Sequence, residues 1–316
     1  MTSKISQGQF SHDEKDTFRR VVDDLWNARS GLLYATKSHD FASTADAAGL
    51  TTTVVVPGAE LGDFAMVSHE VDIVGVTLTA YVSAADTVSV RFQNESGTNP
   101  VDLGAAVTLR VVVIPRREVY DVFGPHALFG SATVDVASLL DAAGATSSGI
   151  TVTGAALGDF VLFSHGVDLQ GISATAYVQA ADTVEVRFQN ESGGTLDLAS
   201  TTTRVLVLPA AYVYEAFAGQ ALIGQATFDP AASADGAGET ATVTVGGAKL
   251  GDFCIASFSL DLQDYTVTSY VSAANTVKVR FQNEGGATLN IASGTLRATV
   301  VPKSLFESVS TAQLSK

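Results

Sequence analysis

Apolar and polar residues alternate one for one along much of the chain. Val184, Val186 and Phe188 are separated by Glu185, Arg187 and Gln189, the period of a strand with one face buried. Around them, residues 150–152, 160–163, 172–178 and 204–208 are short runs rich in β-branched and aromatic side chains, and Gly, Asn, Asp and Ser punctuate them. That punctuation predicts turns between strands. The stretch from Tyr177 to Val184 predicts a hairpin turning near Ala181-Asp182. Only the start of the chain has a different period. Phe18, Val21, Val22, Leu25 and Trp26 fall on one face at three-and-four spacing, Ser11 and Glu14 form a capping box, and Gly31 suits a stop. The pattern predicts an amphipathic helix of about four turns. Its apolar stripe, with Phe18, Val22 and Trp26 as candidate partner-binding residues, needs burial on the chain itself or on another protein.

The strand pattern is repeated three times. Leu-Gly-Asp-Phe occurs at 61–64, 157–160 and 250–253, and Arg-Phe-Gln-Asn-Glu begins at Arg91, Arg187 and Arg280. Both motifs step by 96 and then 93 residues, and each glycine precedes its arginine by 29, so the intervening strands and turns have one length. Pro115, Pro209 and Pro302 follow matching apolar runs after Arg110, Arg204 and Arg297, and each is expected to end a strand. Short helical segments at 119–123 and 213–217 introduce the second and third copies. Asp24-Leu25-Trp26 holds the matching place before the first, with Ala-Thr pairs at Ala35, Ala132 and Ala226 eleven residues after the acid. The expected division is an N-terminal helical segment 1–35, β modules at 36–115, 116–209 and 210–302, the last two with their helices, and a tail 303–316. The fold class expected is all-β, with three tandem antiparallel β-sandwich or jelly-roll-like modules, each of five to eight strands.

Composition narrows the function classes. Of 316 residues, 46% are hydrophobic and 16% charged, enough apolar material for several cores. A formal charge of −15 opposes the attraction to phosphate on which nucleic-acid binding depends, so neither nucleic acid nor an anionic membrane is an expected partner. The single Cys254 excludes an intramolecular disulfide and a multi-cysteine zinc site; in an apolar run it reads as a buried, inert thiol. No apolar stretch approaches the ~20 residues of a membrane-spanning helix, and residues 1–30 are too polar for a signal peptide. Synthesis in the cytoplasm is the expectation.

The polar residues kept in every copy are Asp63, Asp72, Arg91, Asn94, Glu95 and Arg110 with their counterparts. No nucleophile, base and orienting group stand among them, as a catalytic centre would require. His69 and His165 match each other, but Phe258 replaces them in the third copy, which favours packing over proton transfer. Asp159, Asp168, Asn190 and Glu191 could offer oxygens to calcium, yet lack the dense spacing of a calcium loop; the simpler reading is turns, a strand end and pairing with Arg187 and Arg204. Gly193-Gly194 is a turn signal and not a phosphate cradle, since no lysine or helix-forming run follows. Tyr81, Tyr177 and Tyr270 are the retained aromatic candidates for a sugar site, although their apolar strands point to core. The expectation is a non-enzyme with no cofactor and no metal.

Two phrases carry a resemblance: Gly-Ala-Ala-Leu-Gly-Asp-Phe-Val-Leu-Phe-Ser-His-Gly-Val-Asp-Leu-Gln-Gly from Gly154, and Thr-Val-Glu-Val-Arg-Phe-Gln-Asn-Glu-Ser-Gly-Gly-Thr-Leu-Asp-Leu-Ala-Ser from Thr183. They resemble a β module often encoded in tailed-bacteriophage genomes, notably those of marine phages. The resemblance covers most of each repeat and leaves residues 1–45 and the tail outside. It implies a virion structural protein, in first place a decoration (cement) protein on the outer head surface, with a phage tail or fibre component as an alternative. The partners implied are the major capsid protein or other virion proteins, with self-association. The family brings no catalytic residues. A cell-surface or carbohydrate-binding array is the reading from another class. Three linked copies suit a compact pseudo-trimer, each copy meeting an equivalent neighbour, better than beads on a string.

Overall fold

The computed structural model describes residues 31–307 apart from 98, 99, 105 and 218, so the N-terminal stripe of Phe18, Val22 and Trp26 lies outside the described residues. The first unit contains β1 (Leu33–His39), β2 (Ala48–Val55), β3 (Phe64–His69), β4 (Thr77–Ala84), β5 (Thr87–Asn94) and β6 (Val107–Ile114). They form two sheets in the orders β1-β6-β3 and β2-β5-β4. The second has β7 (Leu128–Val134), β8 (Ala143–Thr146), β9 (Ile150–Thr151), β10 (Phe160–His165), β11 (Ser173–Ala180), β12 (Thr183–Asn190) and β13 (Thr201–Leu208). Its sheets run β10-β13-β7 and β11-β12-β8, with β9 also on β12. The third has β14 (Leu222–Phe228), β15 (Gly238–Thr244), β16 (Phe253–Phe258), β17 (Tyr265–Ala273), β18 (Thr276–Asn283) and β19 (Gly294–Val301), ordered β14-β19-β16 and β15-β18-β17. Every pairing is antiparallel. In the second unit the Ser147 hydroxyl takes the Val186 N–H at 3.0 Å between β8 and β9, interrupting one strand where its counterparts run whole.

Alternation explains the two-sheet packing. Val88, Val90 and Phe92 of β5 meet Leu109, Val111 and Val113 of β6 in one buried cluster, and Val184, Val186 and Phe188 meet Val205 and Val207 in the next. Each such side chain contributes about 1.5–3 kcal/mol by leaving water. The hairpins turn where the sequence places them. Asp86, Asp182 and Asn275 take the left-handed conformation at φ 57°, 60° and 60°, which Asp and Asn tolerate best after glycine. Their side-chain oxygens accept the N–H of Gly58, Gly154 and Gly247 at 2.6, 2.5 and 2.6 Å, tying each hairpin to the turn that follows the unit's second strand.

Two alignments move. Ala132 and Ala226 pair with Thr203 and Leu296, whereas Lys37, and not Ala35, stands opposite the equivalent Leu109. The Ala-Thr match is thus two residues out of step in the first unit. That unit's first strand also begins at Leu33, ahead of the boundary expected at 36.

A fourth core joins the three units. The outer faces of the β1-β6-β3, β10-β13-β7 and β14-β19-β16 sheets bring Phe64, Phe160 and Phe253 into one cluster with Met66, Leu162 and Ile255. Helices α1 (Val119–Phe123) and α2 (Val213–Ala216) follow Pro115 and Pro209 and add Val119, Phe123, Val213 and Phe217, with the Phe123 and Phe217 rings edge to face at 5.4 Å. A third helical turn, residues 304–307, follows Pro302. Its Phe306 stacks on Tyr34 of the first unit at 6.4 Å and meets Phe253 edge-on at 5.2 Å. This turn thus stands beside the first unit as α1 and α2 stand beside the second and third; Asp24-Leu25-Trp26, matched to that place from sequence, lies outside the described residues.

Candidate functional site

The polar residues repeated in each copy gather at the junctions between units. The Ser164 hydroxyl donates to the Gly62 carbonyl, Ser257 to Gly158 and Ser68 to Gly251, each at 2.7 Å. The contacts run from unit two to one, three to two and one to three, which closes a ring. The same glycines have φ of 88°, 90° and 87°. The guanidinium of Arg204, Arg297 or Arg110 from the adjoining unit lies within 3 Å of where a Cβ would sit. Glycine is thus needed twice over, for the backbone and for the arginine.

The following aspartate in Leu-Gly-Asp-Phe works inside its own unit. Asp63 accepts from the Glu60 and Arg116 N–H groups, Asp159 from Ala156 and Ala210, and Asp252 from Lys249 and Lys303, all at 2.8–3.0 Å. Each carboxylate pins the turn before the unit's third strand to the chain leaving its last strand. Asp159 does not pair with Arg187 or Arg204, as the sequence suggested; Arg187 pairs with Asp264 of the third unit at 3.0 Å.

Arg-Phe-Gln-Asn-Glu is the second junction motif. Arg91, Arg187 and Arg280 alternate with core Val and Phe and so point away from their own cores, yet they are only 5–7% exposed. Arg91 donates to the Glu191 carbonyl, Arg187 to that of Glu284 and Arg280 to that of Glu95, again once per junction. Asn94, Asn190 and Asn283 are fully buried, and their side-chain amides hold the loops at Thr44, Leu139 and Ser233.

The tyrosines offered as a sugar platform are buried at the junctions instead. Tyr81 takes the Gly171 N–H and Tyr270 the Gly75 N–H, both at 2.9 Å, while Tyr177 donates to the Gln263 carbonyl. No ring face is open to stack a sugar. Opposite these tyrosines on the neighbouring strands stand Ser89, Glu185 and Lys278. Ser89 is buried, Glu185 bonds the Tyr177 hydroxyl at 3.1 Å, and Lys278 pairs with Asp72 of the first unit at 3.0 Å.

Between the edge strands of all three units lies a cavity of about 150 Å³, well below the roughly 300–1,000 Å³ of a typical ligand pocket. Ala65, Val67, Val161, Phe163 and Ala256 line it together with Cys254, whose thiol is pushed up to about 12 by burial; a thiol so protonated is a poor nucleophile. His69 and His165 pack in the cores against Phe41 and Phe188, and burial lowers both, His165 to about 4. Phe258 fills the corresponding slot against Phe281. Among the described residues no group of three or more His, Cys, Asp or Glu could hold a metal ion, and Asp168 is occupied by the Gln170 N–H. No described helix is long and apolar enough to cross a membrane.

The repeated glycines and arginines thus join copies, a role not assigned from sequence, while the repeated aspartates and asparagines brace their own units. The available signal was an arginine kept on the strand face opposite the core. Comparison with protein-family models, curated proteins and solved structures gives no match for this chain.

Proposed function

We propose that the chain is a single-chain pseudo-trimer of jelly-roll-like modules that serves as a virion structural protein, a decoration protein seated at a local three-fold position on the outer head. The observation that carries this reading is the closed ring of junction contacts, Ser68–Gly251, Ser164–Gly62 and Ser257–Gly158, which gives one chain three related outer faces. A three-fold site on a capsid offers three related neighbours, so each contact after the first forms within a tethered complex and gains from effective concentration. Repeated polar residues spent on assembly, and not on a reacting centre, fit a structural role. The phage-module resemblance of residues 154–171 and 183–200 selects the virion among such roles.

The test is an averaged map of purified particles carrying this chain. Three-lobed density on the outer surface at three-fold or quasi-three-fold points is expected; density confined to the tail, or absence of the chain from particles, overturns the head assignment. Particles assembled with a chain lacking residues 1–30 should lose occupancy if Phe18, Val22 and Trp26 anchor it, and unchanged occupancy removes that role.

A further inference from the structure

One end of the ring gathers charge that the junction contacts leave unbalanced. Glu95, Glu191 and Glu284 follow β5, β12 and β18, and each is held by the glutamine two residues before it, the Gln93, Gln189 and Gln282 amides donating at 2.7, 2.8 and 2.8 Å. Glu95 lies within repulsive reach of Glu191, Glu284 and Asp46. Glu191 faces Glu284, Asp141 and Arg91, and Glu284 faces Asp235, Arg187 and Arg280. The three aspartates behind them are committed to loop N–H groups of Gly97, Gly193 and Gly286. Six carboxylates thus face three arginines, and the arginines already bridge the junctions through backbone carbonyls.

We propose that Glu95, Glu191 and Glu284 form a proton-operated latch: protonated, they let the three junctions close tightly, and ionised, they push the units apart. Burial, with mutual repulsion behind it, lifts Glu95 and Glu191 to about 7 and raises Glu284. A carboxyl group raised on folding favours the folded state when protonated. Its contribution is complete below the unfolded carboxylate range, near 4.3, and is lost as pH rises through about 7. His69 and His165 act in the opposite sense. Burial keeps them neutral, so their contribution is present above about 6.5 and is lost as pH falls. The unsubstituted protein therefore shows a partly cancelled profile, and only a difference between variants isolates the glutamates.

The experiment compares the full chain with its E95Q/E191Q/E284Q variant, in which each amide mimics the protonated acid. The thermal midpoints should coincide near pH 4, at the lower edge of the window. At pH 8 the variant should melt roughly 2–3 °C higher, as expected for about 1–2 kcal/mol in a protein of this size. Glu215→Gln, on the exposed side of α2, is the control for removing one negative charge away from the junctions. A triple-variant difference that is the same at both pH values, or a variant less stable than the parent at pH 8, overturns the latch. Carboxyl-carbon NMR titration of the unsubstituted chain provides a second readout: midpoints near 7 for Glu95 and Glu191 support the proposal, and midpoints in the ordinary carboxylate range overturn it whether or not the variant folds.

Discussion

The junction between units three and one differs from the two that a peptide bridges. Units one and two are tied by residues 115–127, units two and three by residues 209–221, and the third junction has no such tether. Among the described residues it carries the most ion pairs between units: Lys278–Asp72 at 3.0 Å, Arg110–Glu307 at 3.4 Å and Lys303–Glu70 at 3.9 Å. The two-to-three junction has Arg187–Asp264, offset by Glu185, which burial, and after it Asp261 and Asp264, hold above its usual range. The one-to-two junction has none among the described residues. Where the linker already keeps two surfaces at high effective concentration, little else is required. Where it does not, charge and an aromatic plug do the work. A ring made from near copies can therefore be closed by unlike means.

Removing the plug should have the largest effect. Phe306→Ala should cost about 3–4 kcal/mol in denaturant unfolding, a typical price for a buried phenylalanine, and should raise the hydrodynamic radius as the third junction opens. The equivalent Val213→Ala, beside a tethered junction, should cost about 2 kcal/mol, roughly two methyls' worth, with no change in radius. Equal swelling in both variants would break the contrast between tethered and untethered junctions.

The tyrosine contacts sharpen the comparison at intermediate size. Tyr81→Phe and Tyr270→Phe each strand a buried N–H, that of Gly171 and Gly75, and each should lose about 1–2 kcal/mol. Hydrogen exchange distinguishes them. Protection should fall locally around Gly171 in the first variant and across the whole third junction in the second. Smallest is Lys278→Ala. Both its ammonium and the Asp72 carboxylate are about a third exposed, so the loss should stay under about 1 kcal/mol and vanish in molar salt. A larger loss that resists salt would show that this pair, and not Phe306, closes the ring.

The strands of the middle unit were legible because β-branched and aromatic residues alternate in β10 to β13. The first strand of each unit was not. Leu128–Val134 reads Leu-Phe-Gly-Ser-Ala-Thr-Val, small and polar enough to pass for a loop. Its Gly130 is set by tertiary contact, since a Cβ there would stand 2.6 Å from the Val152 methyl and 2.7 Å from the Thr151 carbonyl. Local pattern does not encode such an approach. The repeated motifs were visible as repeated, but their role was not, because a residue that supports its own unit and one that grips the next leave the same trace in a single sequence. The C-terminal helical turn escaped for a related reason. Ser-Leu-Phe-Glu shares little with Val-Tyr-Asp-Val-Phe beyond an apolar residue at the fourth place after the proline, Phe306 against Val119.

The slot that Phe306 fills has a topological consequence. Val119, Val213 and Phe306 stand at one position after Pro115, Pro209 and Pro302, so the ring distinguishes three places but no beginning. In the linkers, seven residues separate Tyr120 from Leu128, and nine residues follow Glu307 in the sequence. A circular permutant that runs on from Glu307 through such a stretch into Leu33 and opens at 121–127 would present the same three places in another chain order.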